Sequence, residues 1–302
     1  MKKSSIAIMC IIAVLVITFC FYFRYKKAPD SKPAISGNVI EETNVKQEDT
    51  ITIYDIEEGY LTVPYNNDAD KHCYNWNNLI NDNGMFKYED EKYTSKIGID
   101  VSSHQKEINW KKVKEAGVDF VIIRLGYRGY GESGKIVLDS YFENNYQGAK
   151  SAGIDVGVYF FSQAINNEEV KEEAEFVFEH LKGKELSYPV VYDLEKIKND
   201  TARTDNLTYE QITDMTLEFC NLVEEKGYVP SIYGNAKTLT TKMKLELFNK
   251  YNKWYAEYPE VGGYDAPLYP YEFDIWQYTE KGTIPGISTP VDIDIQFIEK
   301  DL

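Results

Sequence analysis

The chain has 302 residues, enough for one large domain or two small ones with a core of normal size. A formal charge of −16, with no basic stripe carrying interleaved aromatics, excludes a nucleic-acid partner. Tyrosine is unusually frequent at 25 residues; many of these suit core and surface alike, and aromatic faces also suit sugar rings.

Lys2 and Lys3 lead into an apolar run over residues 6–23, about the length that spans a bilayer. Arg24, Lys26 and Lys27 follow, so basic residues flank both ends and the positive-inside rule leaves orientation undecided. Bulky Phe19, Phe21, Tyr22 and Phe23 stand where a cleavage site needs small residues. The expectation is a cytoplasmic tip at 1–5, an uncleaved single-pass transmembrane anchor at 6–23, and a flexible stalk over 24–50 marked by Pro29, Pro33 and Gly37. Residues 51–95, with short alternating stretches from Ile51 to Tyr54 and Tyr60 to Val63, read as a small extended arm packed on the main domain. Cys10 and Cys20 fall in the apolar run; Cys73 and Cys220 remain, either as one disulfide or as two free thiols.

From residue 96 strand and helix alternate. Strands are expected at 97–101, 120–125, 155–161, 189–194 and 229–233. Between them, Asn109 caps a short helix ended by Gly117, and Asp139 starts a second ended by Gly153. A third, after Asn167, carries Val170, Ala174, Phe178 and Leu181 on one stripe. Thr208 and Gln211 have capping-box spacing and open a fourth that ends at Gly227; a fifth lies within 237–250. Strands at 254–258, 274–278 and 291–297 then follow without helices. Eight strands and five helices imply an α/β fold, a modified (β/α) TIM-like barrel over 96–302 whose last third lacks its outer helices. An open doubly wound sheet is the alternative.

The strand around Asp193 carries the chemistry. Side chains alternate along a strand, so Val190, Tyr192 and Leu194 face one way and Val191, Asp193 and Glu195 the other. Two carboxylates that close cannot both ionise freely, and one is pushed toward the protonated state in which a carboxyl serves as general acid. Alone, an Asp-x-Glu reads as a solvated strand end. The same alternation, however, sets Asp100 opposite Ile99 and Val101, sets Asp292, Asp294 and Gln296 opposite an aliphatic row, and places Arg124 with Phe120 and Ile122. Barrel strands have no solvated face, and polar groups near their carboxyl ends line active sites.

Other motifs lead elsewhere. Gly129-Tyr130-Gly131-Glu132-Ser133-Gly134 has dinucleotide-fingerprint spacing, but the loop runs on to Asp139 before a helix begins, so the glycines do not open one. It reads as a mobile loop beside the site. His72, His104 and His180 have no metal spacing, and no nucleophile motif occurs. His104 follows the first strand, at the cleft or as a hydrogen-bonded loop residue.

Several stretches together resemble glycoside hydrolase family 25, lysozymes that are N-acetylmuramidases. They are Gly98-Ile99-Asp100-Val101-Ser102-Ser103-His104-Gln105 with Ile108-Asn109-Trp110, the stretch from Ala152 to Phe161, Pro189 through Glu195, Trp254-Tyr255-Ala256-Glu257-Tyr258, and Ile275-Trp276-Gln277-Tyr278 with Gly286 and Val291-Asp292. The resemblance runs from about residue 96 to the end. The chain departs from it at Lys106, where glycine is common, at Asn109, where Asp often stands, and at Asp294, a place often Asn.

The resemblance implies Glu195 as general acid, with Asp193, Asp100 and Asp292 around the adjacent sugar. Asp193 would orient the 2-acetamido group of N-acetylmuramic acid, which can itself attack the anomeric carbon. Tyr159 and Phe161 are the first candidates for substrate contact, then Tyr233, Trp254, Trp276 and Gln277. No metal or cofactor is expected. The partners implied are peptidoglycan glycan strands and, through the anchor, the membrane, with the catalytic barrel on the cell-wall side. Rival readings are a non-catalytic glycan-binding barrel, a hydrolase of another amino-sugar polymer such as chitin, and a scaffold in a wall-remodelling apparatus.

Overall fold

A computed structural model describes residues 49–131, 133–197, 200–259 and 266–300. The expected tip, the transmembrane anchor and the stalk up to residue 48 lie outside the described residues.

The arm consists of two antiparallel hairpins, β1 (Thr50–Asp55) with β2 (Gly59–Pro64) and β3 (Leu79–Asp82) with β4 (Met85–Tyr88). Asn83 and Gly84, at the turn of the second, both have positive φ, which Asn-Gly tolerates well. Between the hairpins an aromatic cluster fastens the arm to the barrel: Tyr74 stacks on Phe297 at 4.1 Å, and Trp76 lies parallel to Phe273 at 6.4 Å. Cys73 is exposed and Cys220 buried, and both are free thiols.

The barrel strands are β5 (Tyr93–Val101), β6 (Phe120–Arg128), β8 (Asp155–Phe161), β9 (Val190–Asp193), β10 (Pro230–Asn235), β11 (Asn252–Ala256), β12 (Ile275–Gly282) and β13 (Val291–Glu299). They belong to a nine-stranded sheet that closes because β5 also pairs with β6, which leaves β7 (Ile136–Leu138) outside a ring of eight. The ring is not wholly parallel: β13 runs antiparallel to both β12 and β5. With no helix between β12 and β13, the chain turns straight back, and a direct return can only pair antiparallel. β7, which falls between the expected strands, pairs antiparallel with the end of β6, across the glycine-rich stretch.

Two sets of side chains fill the barrel wall. Phe120, Ile122, Val191, Tyr233, Trp254, Ala256 and Ile275 point inward, while Ile99, Val121, Ile123, Val190 and Tyr192 point out toward the helices. Gly98 is obligatory at the closed end, because a Cβ there would stand 2.1 Å from the Phe120 ring.

The helices are α1 (Trp110–Glu115), α2 (Phe142–Ser151), α3 (Asn167–Leu181), α4 (Tyr209–Glu225) and α5 (Ala236–Thr241). Asn109 caps α1 by accepting from Lys112 N, and the Thr208–Gln211 capping box is present on α4. Asn166, not Asn167, caps α3, and Val177 rather than Phe178 completes its buried stripe. Asp139 does not cap α2, which begins at Phe142; its carboxylate serves Arg124 instead. The helix expected over 237–250 breaks after Thr241 and resumes as a 3-10 turn at Leu245–Phe248. Thr240 and Thr241 hydroxyls donate back to the carbonyls of Ala236 and Lys237, which weakens a helix, and Lys244 N leaves the axis for Thr213 Oγ1.

Candidate active site

Four aspartates meet at the barrel mouth. Asp100 is the penultimate residue of β5 and is 7% exposed, Asp193 ends β9 at 3%, and Asp294 on β13 is 0% exposed, with half-buried Asp292 nearby on the same strand. Asp292 lies directly across from Asp100 in the β13–β5 ladder, and Asp294 across from Gln277 in the β12–β13 ladder. Glu195 follows two residues past the end of β9, half-buried, and Gln163 Nε2 donates to its backbone oxygen at 3.2 Å.

Burial is the first cause of the electrostatics. It pushes Asp100 well above the usual carboxylate range, helped by the charges of Asp292 and Asp294 and opposed by the hydrogen bond from Gln277. Asp193 is raised by burial, then by the charge of Glu195 and a hydrogen bond with it; Arg124 opposes the rise. Burial also lifts Asp292 to about 6 and raises Asp294 well above its ordinary value. Asp193 Oδ1 and Asp294 Oδ2 are buried with no hydrogen-bond partner among the described residues. Each of these aspartates is thus shifted toward its protonated form, burial being the first cause. Carboxylates held in this state suit general acid chemistry on a substrate that develops positive charge.

The neighbours are fixed. Trp254 Nε1 donates to Asp294 Oδ1 at 2.8 Å, and the indole lies edge-on to Tyr233 at 4.7 Å and to Tyr159 at 5.9 Å. Gln277 Nε2 donates to Asp100 Oδ2 at 2.7 Å. Arg124 Nε donates to Asp139 Oδ2 at 2.8 Å and a second Arg124 nitrogen to Ser103 Oγ at 3.0 Å, which ties β6 to the loop after β5 and to the segment after β7. A cavity of about 580 Å³ opens there, lined by Arg124, Tyr127, Tyr130, Phe161 and exposed His104.

Of the residues expected from the sequence, Asp100, Asp193, Asp292, Tyr159, Tyr233, Trp254 and Gln277 surround the mouth, and Glu195 and Phe161 stand on its rim. Tyr159 and Phe161 are half-buried, whereas Trp254 is 2% exposed and forms floor. Trp276 departs from the expectation. Alternation sends it to the face opposite Gln277, where it is 0% exposed against Trp76 and Phe86 of the arm and donates to Glu257 O at 2.7 Å. Tyr258 and Gln163 were not singled out. Tyr258 has the same parity as Trp254, a signal present in the sequence; Gln163 lies past a strand end, where no periodicity operates.

Comparison with known proteins places this geometry. Residues 99–287 match the description "Glycosyl hydrolases family 25". The autolytic lysozyme of Clostridium acetobutylicum is 28% identical over 200 residues, covering 65% of this chain and 54% of the relative. Lysozyme M1 of Streptomyces globisporus is 41% identical over 66 residues, 22% of this chain and 20% of the relative. Among solved structures, the modular autolysin LytC of Streptococcus pneumoniae, in complex with a synthetic peptidoglycan ligand, superposes with a TM-score of 0.58 at 24% identity, over 82% of this chain and 56% of that one. The lysozyme of Streptomyces coelicolor gives 0.54 at 25% identity, over 66% and 90%. The chain thus spans about half the length of the clostridial relative and of the modular autolysin.

Proposed function

The chain belongs to glycosyl hydrolase family 25, and from that membership we propose that it is a peptidoglycan hydrolase, a lysozyme that cuts the β-1,4 bond between N-acetylmuramic acid and N-acetylglucosamine. The observation that carries the reading is the pairing of buried Asp193 with half-buried Glu195 at the end of one strand.

In this mechanism the two carboxyls act as one titrating unit that shares a proton. Glu195, the more exposed member, gives that proton to the glycosidic oxygen as the bond breaks. Its departure leaves both carboxylates ionised toward the anomeric carbon, where positive charge is developing. Asp193 then holds and stabilises the substrate 2-acetamido group as that group attacks, and the charge of Asp292, with Asp100 across the ladder from it, favours the cationic intermediate. Half-buried Tyr159 and Phe161 offer ring surface for sugars, with Tyr233 and Gln277 beneath.

The apolar run at 6–23 supports a single-pass anchor, which would hold the barrel on the wall side of the membrane and raise its effective concentration at the substrate. The test is digestion of purified peptidoglycan followed by mass spectrometry of the products. New reducing ends on N-acetylmuramic acid support the proposal. Ends on N-acetylglucosamine, cleavage of chitin alone, or binding without cleavage favour its rivals.

A further inference from the structure

Glu195 borders a second space. A cavity of about 360 Å³ opens beside it, within the size range of small-ligand sites. Its floor is apolar, formed by Leu194, Leu207 and Ile212, and its rim carries Lys196, Lys237 and Lys242. Lys237 is ion-paired with Glu58, which stands at the turn between β1 and β2. That turn is held in place because buried Asp55 accepts from Glu57 N and Glu58 N at 3.0 Å and from Lys237 N at 3.2 Å. The hydrogen bond and charge of Lys237, with smaller contributions from Lys196 and Lys242, hold the Glu58 carboxyl below its ordinary range. Among the described residues neither Lys196 nor Lys242 is ion-paired. Asp205, the other acid on the lining besides Glu195, accepts from Ala202 N at 2.9 Å. Three lysines converging on one apolar-floored cavity in a chain of charge −16 mark it for an anion with an apolar body.

We propose that this cavity takes the anionic peptide carried by the glycan strand, with small apolar side chains over Leu194, Leu207 and Ile212 and a carboxylate on Lys196 and Lys242. The inference rests on the muramidase reading. In peptidoglycan the lactyl group of N-acetylmuramic acid bears a short peptide with free carboxylates, so a strand positioned for cleavage at Glu195 brings that peptide to the cavity. Glu58 already presents a carboxylate to the same lysines from the arm.

The experiment compares glycan strands that keep their peptides with the same strands stripped by an amidase, using the full chain in detergent. Peptide-bearing strands are expected to have a higher kcat/KM by about tenfold, mostly through KM, as two partly exposed ion pairs would give. That preference shrinks at high ionic strength and in the Lys196→Gln/Lys242→Gln double variant, and Lys242→Glu alone, away from Glu195 in sequence, reduces it further. Equal rates on the two substrates, or a preference that the lysine variants leave intact, overturn the proposal. Cleavage of neither substrate would instead sink the muramidase reading. An NMR titration with a wall-derived disaccharide-peptide and the peptide-free disaccharide then decides the cavity alone. Tighter binding of the peptide-bearing form that Lys242→Glu abolishes supports it; equal binding refutes it.

Discussion

Gln277 and Asp100 are locked together across the barrel mouth, the amide nitrogen donating to Asp100 Oδ2 at 2.7 Å while the amide oxygen accepts from the hydroxyls of Tyr233 and Tyr258, each at 2.8 Å. Two phenols on the oxygen leave the amide a single orientation, so Asp100 always meets a donor. One side chain thus ties β5, β10, β12 and the segment after β11 into a rigid rim.

Replacing Gln277 by Leu strands both phenol hydroxyls and a carboxyl oxygen in a dry site. Each such group costs about 1–3 kcal/mol, so with three of them the variant is expected to lose at least about 3 kcal/mol. Urea unfolding measures this, and a loss under about 0.5 kcal/mol would show the rim to be independent of the amide.

Asp294 stands where the family often has Asn, and its environment treats it as neutral. Oδ1 accepts from Trp254, Oδ2 is buried without a partner among the described residues, and burial raises its pKa. Folded Asp294 keeps a proton that the unfolded chain releases above about pH 4. Its stabilising contribution is therefore complete at low pH and is lost as pH rises toward the folded-state value. Asp100, Asp193 and Asp292, the last raised to about 6, add slopes of the same sign. The wild type should melt lower at pH 8 than at pH 5. Asp294→Asn should melt higher than wild type at pH 8, with the gap narrowing toward pH 4. Parallel melting curves across that range would contradict this.

Lys106 has a φ of +57°, the left-handed region that glycine enters without strain. The departure noted in the sequence is a local cost. Lys106→Gly should be neutral or stabilise by up to about 1 kcal/mol, and Lys106→Val should destabilise, because β-branched residues fit this region worst. Thermal melts of the pair test it, and a stabilising Val would refute it.

The loop that carries Glu195 is latched from behind. Arg203 donates to Gln163 O at 3.0 Å and bidentately to Glu169 at 2.7 and 2.8 Å, and Gln163 in turn holds the Glu195 backbone. Arg203→Ala should lower kcat by about 10- to 100-fold, through misplacement of the acid, with little change in KM. A change confined to KM would show that the latch serves binding alone.

Strand alternation made most of the mouth legible. Asp100, Asp193 and Asp292 were placed on the inner face by parity alone, because a closed barrel gives every strand two buried faces of different chemistry. Where parity was not applied, as at Trp276, the side chain lies on the other face. Beyond strand ends no period operates, so the Gln163–Arg203–Glu169 latch and the exchange of Asp139 from helix cap to Arg124 partner were not visible. The direction of β13 depends on the lack of a crossover and not on anything within the strand itself. At the break after Thr241, Lys244 N bonds Thr213 Oγ1 of α4 and not a helical carbonyl, a tertiary contact that a hydrophobic pattern does not register.

The central claim is that Glu195 delivers the proton to the leaving sugar. Its most direct measurement is the initial rate of reducing-end release from purified peptidoglycan by wild type and Glu195→Gln, at equal concentrations and with equal melting temperatures. The account predicts that the variant is slower by about 10²- to 10⁴-fold, the contribution of a positioned general acid. A folded Glu195→Gln protein that keeps most of the wild-type rate would contradict it.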